Sequence, residues 1–240
     1  MLYRTFTNRY EIKYLATAAQ ADNLKNEISK TFIRDSYTNN QTGYFNYSVY
    51  FDSNDYFFYR EKTEGLNERL KPRLRCHLQN PNEIPTDWKL ELKGRINRTV
   101  QKRRTILEDS EIHKLLNGLD LINDNGELAI KEFNYLRLKH AIIPAVSIIY
   151  FREPYNSNFF PNVRITFDYD IKSSLGFSFP DKNSNIVDPS KILIELKYTD
   201  SIPNSILEIF RRVGLYQTTF SKFTFGLESA FEKIRQAIER

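Results

Sequence analysis

The chain has 240 residues, 40% of them hydrophobic, with 15 Tyr and 18 Phe, which is enough apolar material for a packed core and too much for a disordered chain. One cysteine, Cys76, excludes an intrachain disulfide, and no stretch approaches the roughly 20 apolar residues that span a bilayer. The reading is therefore a cytoplasmic protein of one domain, residues 1–240, with no direct membrane insertion, whose net charge of +5 from 35 Lys and Arg suits an anionic partner.

In chain order, period-2 alternation with aromatic and β-branched enrichment predicts strands over 9–15, 44–51, 69–78, 87–95, 99–107, 146–152, 162–170 and 192–198. Helical patterning places helices over 18–32, 55–62, 110–117, 127–139, 205–213 and 222–238, with Asp109/Ser110 and Ser221 as start signals. Many strands with interspersed helices, and no regular strand-helix-strand alternation, specify an α+β fold.

The content of the strands is unusual. Residues 69–76 read Arg-Leu-Lys-Pro-Arg-Leu-Arg-Cys, so one face carries Arg69, Lys71, Arg73 and Arg75 and the other Leu70, Pro72, Leu74 and Cys76. The split recurs over 9–15, 89–93 and 194–198, and Glu-x-Lys appears three times, as Glu11/Lys13, Glu91/Lys93 and Glu195/Lys197. For one strand, a polar face in water above an apolar face on helices is the ordinary explanation. Repeated across strands with few neutral residues between the charges, the pattern instead suits a sheet curled so that its charged face lines a tunnel. Unpaired cations there would repel one another and lose hydration, and a bound polyanion would relieve both. The 99–107 segment fits either parity, since Arg103 aligns with Thr99 and Thr105 while Lys102 and Arg104 align with Val100 and Ile106.

Taken in order, these segments resemble the polyphosphate polymerase domain of the vacuolar transporter chaperone (VTC) family. The resemblance is carried by Arg9-Tyr10-Glu11-Ile12-Lys13-Tyr14, Glu64-Gly65 and the basic strand after it, Glu91-Leu92-Lys93, Lys102-Arg103-Arg104, Tyr150-Phe151-Arg152, Arg164-Ile165-Thr166-Phe167-Asp168, Glu195-Leu196-Lys197 and Ser221-Lys222-Phe223. That domain belongs to the triphosphate tunnel metalloenzymes, together with the CYTH triphosphatases and adenylyl cyclases. The resemblance implies a closed antiparallel eight-stranded β-tunnel flanked by helices, ATP as phosphate donor, Mn2+ or Mg2+, and growth of polyphosphate by γ-phosphate transfer. It implies catalytic roles for Lys13, Arg73, Arg75, Lys93, Arg152 and Lys222, and substrate contacts for Glu11, Lys71, Glu91, Lys102, Arg104, Tyr150, Arg164 and Lys197. Glu195 would hold the metal. It also favours Lys102 and Arg104 as the inward pair on their strand.

Two other phosphate-based readings stay open, a tripolyphosphatase or nucleoside triphosphatase and a non-catalytic polyphosphate-binding subunit. CYTH hydrolases usually begin Glu-x-Glu-x-Lys, whereas this chain reads Arg9-x-Glu11-x-Lys13, which leans toward the polymerase. Nucleic acid is disfavoured, because the basic faces lack the interleaved aromatics on which bases stack. His77, His113 and His140 show no metal-ligand spacing and read as packing or surface residues, while Cys76 and Trp88 have the parity of the apolar layer. The chain carries neither the SPX domain nor the membrane segment of eukaryotic relatives, so any translocation of product would need a separate membrane partner.

Overall fold

The alternation of charged and apolar residues dictates two unlike sheet faces, and the computed structural model shows how each is used. It describes residues 9–38, 42–96, 99–121, 127–179, 184, 186 and 188–239. In chain order the elements are β1 (Arg9–Thr17), α1 (Ala18–Ile28), β2 (Phe32–Arg34), β3 (Tyr44–Asp52), α2 (Phe57–Thr63), β4 (Glu68–Leu78), β5 (Lys89–Ile96) and β6 (Thr99–Ile106). After these come α3 (Asp109–Leu116), α4 (Leu128–His140), β7 (Ile143–Ser157), β8 (Arg164–Leu175), β9 (Lys191–Thr199), α5 (Asn204–Arg212), β10 (Gln217–Thr218) and α6 (Lys222–Ile238). None of the described helices is long and apolar enough to cross a membrane.

All strand pairs are antiparallel, in the order β10-β1-β9-β8-β7-β3-β4-β5-β6, with β2 added on β7. The expected closed eight-stranded barrel is thus replaced by a ten-stranded sheet that does not close. No hydrogen-bonded pairing joins β6 to β1 or β10 among the described residues. The edges explain this: β10 has only two residues, and β6 presents Lys102, Arg103 and Arg104 in succession, a run of charge that opposes pairing with another strand. The sheet nevertheless curls strongly. Lys93 on β5 comes within 3.7 Å of Glu11 on β1, although these strands lie six places apart in the order. Register shifts at Tyr50/Phe51 and Ile149/Phe151 assist, since a bulge bends its strand and raises local twist.

The convex face is apolar and carries most of the helices. Tyr14, Ala16, Ile165, Phe167, Ile194 and Leu196 pack with Leu24 and Ile28 of α1 and Phe210 of α5. Tyr47, Val49, Leu74, Cys76, Leu90 and Leu92 pack with Ile112 and Leu115 of α3 and Phe133 and Leu136 of α4. Cys76 and Trp88 are buried in this second layer, as their parity requires. Thr17 caps α1 reciprocally, accepting from the Gln20 N–H while the Gln20 carboxamide accepts from the Thr17 N–H. Helix α1 stops at Ile28, short of the predicted 32, because Phe32–Arg34 is taken up as β2. At α3 the cap is Glu108 rather than Asp109 or Ser110. Asp52, wholly buried, serves α2 from outside it, accepting from the N–H groups of Ser53, Phe58 and Tyr59 at 2.8, 2.9 and 3.0 Å.

Helix α6 is placed differently, because Ile148 and Ser173 pair in the same row as Ser48 on the concave face and α6 packs on them. Ser173 Oγ donates to the Gly226 carbonyl at 3.0 Å, and a Cβ at residue 226 would come within 2.9 Å of Ile148 Cδ1. Glycine there lets the helix lie against the inner face, with its N-terminal residues among the charges.

A candidate phosphate-binding lumen

Directly paired residues on neighbouring strands share a face, so the registers decide which side chains meet inside the curl. Arg73 lies opposite Tyr50 and Glu91, Lys71 opposite Lys93, Arg152 opposite Asp168, Thr166 opposite Glu195, and Lys197 opposite both Glu11 and Arg164. The open parity of β6 resolves: Lys102 and Arg104 lie opposite Lys93 and Glu91, while Arg103 lies opposite Leu92 and pairs with Glu132 on α4.

Two charge clusters result. In the first, Glu195 is 4% exposed and both its oxygens are engaged. Oε2 accepts from Arg152 Nη2 at 2.8 Å and Lys197 Nζ at 2.6 Å; Oε1 accepts from Lys222 Nζ at 2.9 Å, with Lys13 Nζ at 3.7 Å. Asp168, fully buried, takes Arg152 Nε and Nη2 at 2.6 Å each and Lys222 Nζ at 2.6 Å. Two carboxylates from adjacent strands therefore share the same guanidinium and the same ammonium. Tyr150 forms the aromatic wall, with Lys222 Nζ 4.6 Å and the Arg152 guanidinium 5.1 Å from its ring centre.

The second cluster is built on Glu91, also fully buried. It accepts from Arg73 Nε and Nη2 at 2.9 and 2.6 Å, from Arg75 Nη2 at 2.9 Å and from Lys102 Nζ at 2.6 Å. Arg73 also donates to Tyr50 Oη at 2.9 Å. Glu11 bridges the clusters, lying 3.7 Å from Lys93 and 3.9 Å from both Lys13 and Lys197. The N-terminus of α6 joins them from within: Lys71 donates to Ser221 Oγ at 2.9 Å beneath the Phe223 ring, which stacks on Tyr50, and Lys13 donates to the Phe220 carbonyl at 2.8 Å.

Burial alone would raise the carboxyl pKa values of Glu195 and Glu91, but the cations prevail. Lys197, Lys222 and Arg152 hold Glu195 well below the usual range, and Arg73, Arg75 and Lys102 hold Glu91 below it. Burial depresses Lys197 to about 8, with Arg152 adding to the fall, and depresses Lys102 to about 8 against the pull of Glu91. Lys71 is pushed down by burial and then by Lys13 and Lys93. Lys222 moves the other way, because Asp168 and Glu195 outweigh its desolvation.

The structure thus brings together Glu11, Lys13, Lys71, Arg73, Arg75, Glu91, Lys93, Lys102, Tyr150, Arg152, Glu195, Lys197 and Lys222. Arg104 shares the face but is exposed, and Arg164 turns to the rim, pairing with Asp35 at 2.9 Å. The expectation of mutually repelling cations is corrected, since Glu91, Asp168, Glu195 and Glu11 act as internal counter-ions. Sequence reasoning did not single out Asp168, although it shares the parity of Arg164 and Thr166 on its strand, nor Tyr50, which looked like one more strand aromatic.

No group of three or more metal-ligating side chains occurs among the described residues. Glu195 and Asp168 are nonetheless a pair of hard oxygen donors joined through shared cations. A divalent ion that takes its remaining ligands from water and phosphate fits one or two carboxylates.

A family model described as the VTC domain matches residues 8–231. No curated protein sequence matches the chain. Among solved structures, a Bacillus halodurans protein described as a candidate adenylate cyclase is 12% identical, covers 89% of this chain and 95% of its own, and superposes with a TM-score of 0.52. A Hippeastrum protein described as having a dominant triphosphatase activity is 11% identical over 91% of this chain and 94% of its own, with a TM-score of 0.48. At these identities the Bacillus likeness is one of fold.

Proposed function

Because the chain belongs to the VTC domain family, we propose that its concave face binds a triphosphate and that it transfers the γ-phosphate of ATP to a growing polyphosphate chain. The observation that carries this reading is a lumen of Lys and Arg around carboxylates that are 0–4% exposed. Such a site places many charge-assisted donors on phosphate oxygens.

Phosphoryl transfer asks for positioning and charge neutralisation rather than covalent catalysis. In this reading Arg73, Arg75, Lys93 and Lys102 hold one stretch of phosphates, and Lys13, Arg152, Lys197 and Lys222 the other. The bond between the γ-phosphorus and the β–γ bridging oxygen breaks, a bond forms to a terminal oxygen of the acceptor chain, and ADP leaves. That acceptor oxygen is already anionic, so no base must remove a proton. The imidazole nearest the clusters, His77, is pushed down to about 3 by burial, with Arg75 and Lys89 adding to the fall, and stays neutral. Water attack would need a proton acceptor, which is why transfer is preferred to hydrolysis here. Glu195 with Asp168 would hold Mn2+ or Mg2+, which would supply Lewis-acid neutralisation of phosphate charge. Incubation with ATP and Mn2+, read by phosphorus NMR and a gel for long-chain polyphosphate, tests the proposal. Chains support it, free phosphate alone favours the hydrolase, and unchanged ATP leaves a binding subunit.

A further inference from the structure

The concave face of β3 carries two side chains outside every motif identified above. Asn46 and Ser48 are two residues apart, hence on one face and about 7 Å from each other. Asn46 lies opposite His77 of β4 and Tyr150 of β7, and Ser48 lies opposite Arg75 and Ile148. Asn46 is 0% and Ser48 1% exposed. Neither polar atom of the Asn46 carboxamide, nor Ser48 Oγ, nor Arg75 Nε has a hydrogen-bond partner among the described residues. A buried polar group left unpaired costs its full desolvation, whereas an apolar residue of the same shape would cost nothing of the kind. The unmet groups gather beside Arg75, whose Nη2 is already bonded to Glu91, in a lumen where most other polar groups are paired.

We propose that Asn46, Ser48 and the Arg75 Nε–H form an oxyanion subsite that holds the terminal phosphoryl group of a phosphate chain. This rests on the reading of the lumen as a phosphate-chain site and adds which part of the chain is held there. The Asn46 Nδ2–H, Ser48 Oγ–H and Arg75 Nε–H are donors to phosphate oxygens. Asn46 Oδ1 is an acceptor and calls for a donor on the ligand. A terminal phosphoryl group can supply one as P–OH, because its second ionisation falls near pH 6 and the protonated form is still present in part at neutral pH. A bond to Oδ1 selects that form, while an interior phosphoryl group of a chain has no such proton. The neighbouring His77 ring packs on Tyr44 at 4.7 Å and is neutral, so it adds no competing charge.

The test uses the full chain, tripolyphosphate as probe, and the variants Asn46→Leu and Ser48→Ala. Asn46→Leu keeps the size of the side chain and removes both polar atoms. Its unliganded melting temperature should equal or exceed that of the wild type, while its tripolyphosphate affinity by calorimetry should fall at least tenfold. Ser48→Ala should lower affinity threefold or more, and the Asn46 side-chain amide resonance of the wild-type protein should shift on titration. Unchanged affinity in both variants, an unmoved resonance, or a lowered melting temperature in unliganded Asn46→Leu would each overturn the subsite. Wild-type protein that does not bind tripolyphosphate at all would instead remove the lumen reading beneath it.

Discussion

Replacing Glu91 by Gln tests whether carboxylates serve as the counter-ions of the lumen. Its oxygens accept four hydrogen bonds, two from Arg73 and one each from Arg75 and Lys102, and its side chain is 0% exposed. Gln offers one acceptor oxygen and turns an NH2 group toward donors, leaving three cations short of a negative charge. Removing one partner of a buried ion network costs about 3–5 kcal/mol, and in a chain of this size each kcal/mol moves the melting temperature by about 2–4 °C. The expected drop is therefore about 6–20 °C. Lys102 is 39% exposed, so solvent screens its share and places the expectation toward the lower end. Thermal unfolding at pH 7 reads the drop, and Glu232→Gln, which alters an exposed pair on α6, should not show it. Tripolyphosphate should then stabilise Glu91→Gln more than the wild type, because the ligand returns the missing charge; saturation at 100 times the dissociation constant is worth about 2.7 kcal/mol. A Glu91→Gln protein that melts with the wild type, or gains no more from tripolyphosphate, would refute the counter-ion argument.

Arg73→Ala and Arg75→Ala should each weaken tripolyphosphate binding at least tenfold by calorimetry, and Arg73→Ala should also melt earlier, since Glu91 loses its two-point partner; unchanged affinity in both would put this face outside the ligand site. Glu195→Gln should melt earlier by the same route as Glu91→Gln, keep metal-free tripolyphosphate binding and lose its response to a Mn2+ titration. Wild-type turnover across that titration would pass the ligand role to Asp168, Glu11 or Glu91. Lys102 and Lys197, held down to about 8, bind fewer protons in the fold than in the unfolded chain between about pH 8 and 10.4. Their contribution to unliganded stability accordingly rises with pH across that window, while affinity for tripolyphosphate, which needs their charged forms, falls. Titrations near pH 8 in two buffers of different ionisation enthalpy should report proton uptake on binding, and identical heats in both would count against it.

The fold was legible wherever one face of a strand had to be apolar. Period-2 patterning located the eight principal strands, and parity alone put Cys76 and Trp88 beneath the helices and Lys13, Arg73, Arg75 and Glu195 on the charged face, while Arg152 was reached only through the family resemblance. It failed where local pattern carries no information. Phe32–Arg34 and Gln217–Thr218 are too short to show a period, and β6 had to wait for Glu91 and Leu92 across the ladder to decide which of its cations turn inward. Closure was also invisible, because whether the last strand meets the first depends on edge residues and accumulated twist. The pairing of charges was missed for a related reason. Residues 168 and 222 are far apart in sequence, and only the entry of α6 into the curl brings Lys222 onto Asp168 and Glu195.

The unclosed edge also bears on how a polymer could be handled. A sealed cylinder admits a long linear molecule only end first, so each chain must be threaded and withdrawn along its whole length. A sheet with one unpaired seam is held there by side chains instead of a ladder, here by the Lys93–Glu11 pair across it, so that seam can part without the loss of backbone hydrogen bonds. With Lys102 and Arg104 on the β6 rim and Lys93 just inside it, the unpaired edge carries positive charge, so under the proposed function an incoming phosphate chain meets attractive ground there before its end settles in the lumen.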